Sequence, residues 1–338
     1  MLSEKRRNTV SEKMKVFVTR MLPGPAIEIL KKHCDVEINL EDRVLSHEEL
    51  AEKVRGKNGV ICLLTDIIDD EIFQAAGSQC KIFANYAVGY NNIDVQSATR
   101  RKIVITNTPG VLTDATADLA WALLFSVARR IVEADRFTRE GKFKGWSPEL
   151  FLGQEITGKT IGVIGAGRIG VNFAKKAKCF SMTILYHDVK RIYELEHDAG
   201  AKFVDMETLL KESDFISIHV PLLPETRHLI GYREFSLMKP NAIVINTSRG
   251  PVVDEKALVD ALKNKKIWGA GLDVYENEPE IEPDLLKFPN VVLLPHIASA
   301  TFETRSKMAL MAVENILAFF SGKIPPNIVN PEVLAQEK

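Results

Sequence analysis

Short hydrophobic runs alternate along the chain with longer stretches whose apolar residues recur every three or four positions, and the two periods predict strands and helices in turn. MKVFVTR (14–20) reads as a buried strand, and PGPAIEILKKHC (23–34) as a helix whose apolar side is Ala26, Ile27, Ile29 and Leu30. VEINL is a second short strand. SHEELAEKVRG is a helix opened by a capping box, with Ser46 followed three residues later by Glu49. GVICLL, KIFANYA and IVITNTP are further strands. A helix, DDEIFQAAG, lies between the first two, the turn-rich GYNNID lies before the third, and Pro109-Gly110 stops that one. A long helical segment then runs from Thr113 to Gly141, with Thr113, Asp114 and Thr116 as cap residues and an apolar middle suited to a buried or interfacial helix. After the irregular GKFKGWSPELFLGQEITG, a second alternating series runs from Lys159 to about Ala298, and a last helix spans Thr304 to Gly322 before Pro325 and Pro326. Strands alternating with helices predict parallel βαβ units and an α/β fold of doubly wound parallel sheets.

A chain of 338 residues suggests two domains, and a mixed charge of 44 basic against 45 acidic residues leaves no field to collect nucleic acid or acidic membranes. No apolar run reaches the ~20 residues of a membrane span. The opening MLSEKRRNTVSEK has no apolar leader core, so residues 1–13 are expected to be a polar, disordered extension, with Met14 a candidate natural start. Cys34, Cys62, Cys80 and Cys179 form no CxxC pair. Their spacing predicts reduced thiols in a cytoplasmic protein and no metal site. Asp66, Asp69 and Asp70 fit the N-terminal charges of the following helix better than a metal cluster.

The first chemical signal is Gly165-Ala166-Gly167-Arg168-Ile169-Gly170, set between the strand KTIGVIG and the helix VNFAKKAKCF. In that context Gly165 permits a tight turn, Gly167 lets a pyrophosphate approach the backbone, and Gly170 lets helix and strand pack closely. Free amides at the helix start favour phosphate. The next strand, MTILYHD, ends at Asp188, 23 residues after Gly165, where an acid accepts the adenosine ribose hydroxyls of NAD and repels a 2′-phosphate. Lys190 and Arg191 just beyond could pair with such a phosphate, so NAD is expected and NADP stays open.

The second signal is a trio after three later strands. AIVINTS leads into Arg249, WGAGLDV into the loop holding Glu278, and VVLLPH ends at His296. The C-terminal ends of strands form the ligand edge of an open α/β sheet. A guanidinium can clamp a carboxylate and polarise a ketone, an imidazolium can give a proton to the developing oxyanion, and a carboxylate beside it favours and orients the charged ring. That is the chemistry of reducing a small 2-oxo acid. His219 is expected to pack under the cofactor, Tyr86 and Tyr90 to lie in the core, and His33, His47, His197 and His228 on the surface.

GKTIGVIGAGRIG, HVPLLPETRHLI, MKPNAIVINTSRGPVVDEKAL, GAGLDVYENEP and LLPHIASAT, with NYAVGYNNIDV and NTPGVLTDATADLA, together resemble the D-isomer-specific 2-hydroxyacid dehydrogenase family over nearly the whole chain. NYAVGYNNIDV, TDATADLAWALLFSVARR and the FLG before the glycine-rich strand are similar to its glyoxylate/hydroxypyruvate reductase branch. Many family members have valine and glutamate where this chain has Thr116 and Asp118, and that branch resembles the chain there.

The resemblance implies a flavodoxin-like substrate domain, residues 14–113 plus 304–338, with a Rossmann coenzyme domain, 114–303, inserted in it. A cleft closing on substrate would separate them. It implies His296 as acid/base, Glu278 as its partner and Arg249 as the substrate's arginine. The backbone at Val88 and Gly89 would hold the substrate carboxylate, and Leu64 would line the pocket. Arg168 and Ile169 would contact the pyrophosphate. Thr116, Pro221, Thr247 and Ser248 would line the cofactor cleft, with Asp273 on the nicotinamide carboxamide. It also implies a homodimer through the coenzyme domains, with Trp146 reaching the neighbouring site. Glyoxylate or hydroxypyruvate is the expected substrate. D-lactate, phosphoglycerate and phosphite dehydrogenases and an NAD-sensing corepressor are the alternatives.

Overall fold

Four- and five-residue hydrophobic runs become the central strands of two parallel sheets, and the amphipathic stretches become the helices that cover them. The structure, a computed structural model, describes residues 13–337. The extension expected at 1–13 therefore lies outside the described residues except for Lys13, whose Nζ donates to the carbonyls of Lys31 and Lys32. Contacts divide the chain into two compact units, one reaching Leu112 and resuming at Thr301, the other Thr113–Ala300.

In the first unit, β1 (Lys15–Val18), β2 (Asp35–Ile38), β3 (Gly59–Cys62), β4 (Ile82–Asn85) and β5 (Val104–Thr106) lie in the order β2-β1-β3-β4-β5, all parallel. This is the flavodoxin-like order. Side chains alternate across a strand, so β1 sends Val16 and Val18 to one face and Phe17 to the other. Val16, Val18, Ile61 and Ile82 pack under Ala26–His33 and the long helix Phe302–Phe320, through Leu30, Met308, Val313 and Ile316. Phe17, Val60, Cys62 and Phe83 pack under His47–Lys53 and Asp70–Ala76, through Leu50, Ile72 and Phe73. The capping box at Ser46 and Glu49 is formed.

The second unit holds β6 (Thr160–Ile164), β7 (Thr183–His187), β8 (Lys202–Phe203), β9 (Phe215–Ile218), β10 (Ile243–Asn246), β11 (Gly269–Leu272) and β12 (Val291–Leu293). Their order, β12-β11-β10-β9-β6-β7-β8, is a Rossmann sheet with one added edge strand. The strand order reverses between β6 and β9, so the crevice for a ligand opens beyond the C-terminal ends of those two strands. Thr113–Ala128 covers one face, with Ala117, Ala120, Trp121 and Leu124 against Ile161, Val163, Ile243 and Ile245.

Several expectations are corrected. The helical segment from Thr113 is two helices, Thr113–Ala128 and Ile131–Arg139, because Arg130 adopts a left-handed conformation (φ 53°). Its guanidinium pairs with Glu133 at 2.7 Å and lies 5.0 Å over the Phe151 ring. Val95–Arg100, capped by Asp94, is a helix that follows the turn-rich GYNNID in a stretch given no element from the sequence. Asp69 caps Asp70–Ala76 as expected, but Asp66 is no helix-end charge. It is buried and accepts from Thr19 Oγ1 at 2.6 Å and from the Leu63 amide at 2.8 Å. Tyr86 is buried, while Tyr90 is exposed and not in the core. The cysteines are free, three buried and Cys179 exposed. No grouping of described residues could hold a metal ion, and no described helix is long and apolar enough to cross a membrane.

Candidate active site

The glycine-rich turn follows β6 at the switch point. Gly165 has φ 90°, and a Cβ there would lie 2.8 Å from the His219 backbone. A Cβ on Gly170 would lie 2.0 Å from the Gly165 carbonyl oxygen, so turn and helix touch backbone to backbone. Beside Gly167, by contrast, a Cβ would meet nothing within 4 Å, which leaves the turn open to a ligand. Gly167 caps Arg168–Ala177 with no side-chain hydrogen bond, so the first amides of the helix are left for an anion. Arg168 is exposed there, and Ile169 is partly buried behind it. Asp188, at the end of β7, accepts from the Ala166 amide at 2.7 Å and ties the turn to the next strand. Beyond β10, the Thr247 hydroxyl is buried with no hydrogen-bond partner. A bare turn, a free helix start and an orphan hydroxyl along one sheet edge fit a dinucleotide. Thr116 is buried in the first turn of Thr113–Ala128, and Pro221 is exposed after β9.

His219 follows β9 under the same turn. Its ring packs 5.0 Å from Phe173, and Nε2 shares a 2.8 Å hydrogen bond with Ser217 Oγ. Burial pushes the imidazole down to about 3 from its ordinary 6.5. Between those values the unfolded chain binds a proton that the folded chain refuses, so this stability contribution is lost as pH falls below about 6.5. We expect the unfolding free energy to fall between pH 6 and pH 4.5 by up to ~1.4 kcal/mol per pH unit more in the parent than in His219→Asn. Chemical denaturation of both proteins across that range checks it, and parallel pH profiles would refute it.

Arg249, Glu278 and His296 all stand beyond strand ends of this unit. His296 Nδ1 lies 2.8 Å from Glu278 Oε2, and Glu278 Oε1 accepts the Tyr275 amide at 3.0 Å. Burial alone would raise the Glu278 carboxyl. The hydrogen bond and charge of His296, the Tyr275 amide and the Arg249 charge outweigh it and hold the group below its ordinary value. Burial lowers the Arg249 guanidinium, and Glu278 counters it. Arg249 Nη1 donates to the Ser248 carbonyl at 2.7 Å. Its turn has no room to shift, since a Cβ on Gly250 would lie 1.8 Å from the Tyr275 backbone.

Three supporting groups act through hydrogen bonds that motif reading does not show. Asn246 is buried at the end of β10. It accepts from the Ser248 amide and hydroxyl and donates to the Arg249 carbonyl, shaping the turn that presents Arg249. Asp273 is fully buried, and its two carboxylate oxygens accept the Ile297 and Ala298 amides at 2.8 and 2.7 Å, fixing the backbone next to His296. Tyr275 Oη donates to the Leu294 carbonyl, two residues before His296. Asparagine at a strand end is common enough that only the hydrogen bonds reveal its use, and for Asp273 they add the tie to the loop beside His296.

The first unit supplies a different kind of site. The Val88 carbonyl accepts from Asn107 Nδ2 at 2.8 Å, and the Gly89 carbonyl from Asn85 Nδ2 at 2.9 Å. In a planar trans peptide the N–H points opposite to its C=O. The Gly89 and Tyr90 amides are thereby turned away from the two asparagines, and no described residue accepts from them or from Val88 N. Successive free amides make a concavity for an anion. Leu64 lies exposed on the neighbouring loop, which Asn92 Nδ2 holds through the Leu63 and Asp66 carbonyls at 3.0 Å each.

The pattern of the D-isomer specific 2-hydroxyacid dehydrogenase NAD binding domain matches residues 121–298, within the second unit. A glyoxylate reductase of Thermococcus litoralis is 54% identical over 326 residues, covering 95% of this chain and 98% of the relative. The chain belongs to the D-isomer specific 2-hydroxyacid dehydrogenase family. A crystal structure of a Thermus thermophilus protein superposes on this dehydrogenase with TM-score 0.88 at 44% identity, covering 94% of this chain and all of that one. An NADPH-dependent glyoxylate/hydroxypyruvate reductase from Sinorhizobium meliloti, in complex with NADP and malonate, does so with TM-score 0.83 at 32% identity, covering 94% and 97%. The Thr113–Ala300 unit of this NAD(P)-dependent 2-hydroxyacid dehydrogenase thus carries both the dinucleotide turn and the Arg249, Glu278 and His296 trio.

Proposed function

We propose that the chain reduces glyoxylate and hydroxypyruvate to glycolate and D-glycerate, with NADH preferred. The observation that carries this reading is the His296–Glu278 pair, held at a sheet edge that also bears Arg249 and the dinucleotide turn. The names of the Thermococcus and Sinorhizobium relatives support the choice of acid.

Gly165, Gly167, Arg168, Ile169 and Gly170 would hold the pyrophosphate and Asp188 the adenosine ribose. Thr116, Pro221, Thr247, Ser248 and Asp273 would border the rest of the cofactor. A nicotinamide bound there would supply hydride for C2 of the acid. The free amides of Val88 and Gly89 take the substrate carboxylate, Leu64 covers the carbon skeleton, and Arg249 polarises the ketone oxygen. With Nδ1 committed to Glu278, the His296 Nε2 is the nitrogen that gives its proton to that oxygen, and the carbonyl becomes a hydroxyl.

Steady-state rates on glyoxylate, hydroxypyruvate, pyruvate and phosphohydroxypyruvate, and on phosphite in the oxidative direction, each with both cofactors, test the substrate class. The reading predicts the highest kcat/KM for glyoxylate or hydroxypyruvate. Turnover confined to one of the others, or NADH binding without any turnover, would replace it with another dehydrogenase or a sensor.

The same reading includes a homodimer through the coenzyme unit. The helix Ile131–Arg139 buries none of its residues, and Ile131, Val132, Phe143 and Leu152 are exposed around it, with Trp146 at 85% exposure. Such a cluster suits a second copy of the chain. Light scattering should give twice the chain's 37.8 kDa, and a monomer at micromolar concentration would contradict it. Free thiols at four cysteines suit a cytoplasmic location.

A further inference from the structure

The turn after β7 carries two cations beside Asp188, and a 2′-phosphate on the adenosine ribose would need one of them. Arg191 is not idle. Its Nε and Nη2 donate to the two oxygens of Glu196 at 3.0 and 2.7 Å, a bidentate pair that uses the face a guanidinium would offer to phosphate. Its carbon Cζ also lies 5.4 Å from the centre of the Tyr193 ring and 6.0 Å from that of Phe203.

A lone surface pair is weak, but this one is anchored. Glu196 Oε1 accepts from the hydroxyl of Tyr186 at 2.7 Å, and that hydroxyl accepts the Ile192 amide at 2.8 Å. Tyr186 is fully buried in β7, so the carboxylate that grips Arg191 is tied to the sheet itself. The Arg191 hydrogen bonds, and then that of Tyr186, hold the Glu196 carboxyl below its ordinary value, which keeps it anionic. Asp188 adds its own negative charge at the start of the turn, where Oδ1 accepts the Lys190 amide at 3.3 Å. Lys190 is exposed without an ion pair to a described residue. It is a mobile point charge and not a fork.

We propose that Glu196 is a specificity-determining residue that holds the chain to NADH by keeping Arg191 from a 2′-phosphate. This deepens the NADH preference above and rests on it. Removing the carboxylate while keeping the side chain's shape should free Arg191 and admit NADPH.

The test is direct binding, by fluorescence titration of the whole protein with NADH and with NADPH in the absence of substrate. The parent should bind NADH more tightly. Glu196→Gln should tighten NADPH by about ten-fold, as one new charge-assisted pair would, and leave NADH within about two-fold. The double variant Glu196→Gln/Arg191→Ala should lose that gain. If the parent favours NADH and Glu196→Gln leaves NADPH unchanged, the latch is wrong and the NADH reading stands. If the double variant keeps the gain, simple removal of negative charge explains it and the latch is overturned. A parent that favours NADPH overturns both.

Discussion

His296→Asn is expected to lower kcat/KM for glyoxylate by about a hundred- to ten-thousand-fold, the range in which a positioned acid/base contributes. Asparagine is the informative replacement because His296 has φ 55°, a left-handed conformation that asparagine tolerates better than most residues. The backbone next to it stays anchored by Asp273, so the variant removes the imidazole with little else. NADH affinity measured by fluorescence should stay within about three-fold, and the loss should fall mainly on kcat. A loss below ten-fold in a folded variant would move the proton donor elsewhere. The partner sets the acid side of the same prediction. Glu278 has its folded carboxyl below the ordinary 4.5, so the carboxylate that orients the ring is present at and above that pH and is protonated only as pH falls below it. In Glu278→Gln the low-pH limb that this carboxylate causes should disappear, while the whole profile drops.

Arg249→Lys is expected to lower kcat/KM on the order of a hundred-fold although the charge is kept. A guanidinium can engage two oxygens in one plane, while an ammonium makes point contacts from a mobile stem. The turn is shaped for the longer, planar group. Asn246 holds Ser248 and the Arg249 carbonyl, and Gly250 sits against the Tyr275 backbone, so the chain cannot move to bring a shorter side chain forward. If Arg249 acts on the ground-state carboxylate alone, KM rises with kcat intact; if it polarises the ketone, kcat falls too. The account expects both to change. Near-parental kinetics on glyoxylate would remove Arg249 from the substrate.

These residues differ in how openly the chain displays them. Gly165, Gly167 and Gly170 announce themselves because three steric demands fall at fixed spacing between a strand and a helix. Arg249, Glu278 and His296 are readable because each follows a compact hydrophobic run, and strand ends are where α/β sheets bind ligands. The alternation of periods was enough to reveal two parallel sheets. What stayed hidden depends on side-chain contacts and backbone turns that no periodicity reports. Asn85 and Asn107 hold the Gly89 and Val88 carbonyls, and the hydrophobic pattern of 85–107 does not report that pairing. Asp66 reads as a helix-end charge until Thr19, 47 residues earlier, is found against it. The break at Arg130 is invisible because arginine is an ordinary helix former, and the left-handed turn is supported by the distant Phe151 ring. Val95–Arg100 is too short to show a period, and only its Asp94 cap marks it.

The reduction itself can be followed atom by atom. The protein would be incubated with glyoxylate and NADH carrying deuterium at both C4 positions of the nicotinamide, and the product acid analysed by mass spectrometry and proton NMR. The account predicts glycolate with one deuterium on C2, formed in step with NADH loss and slowed in His296→Asn. Glycolate without deuterium, or no consumption of NADH with glyoxylate or hydroxypyruvate, would contradict it.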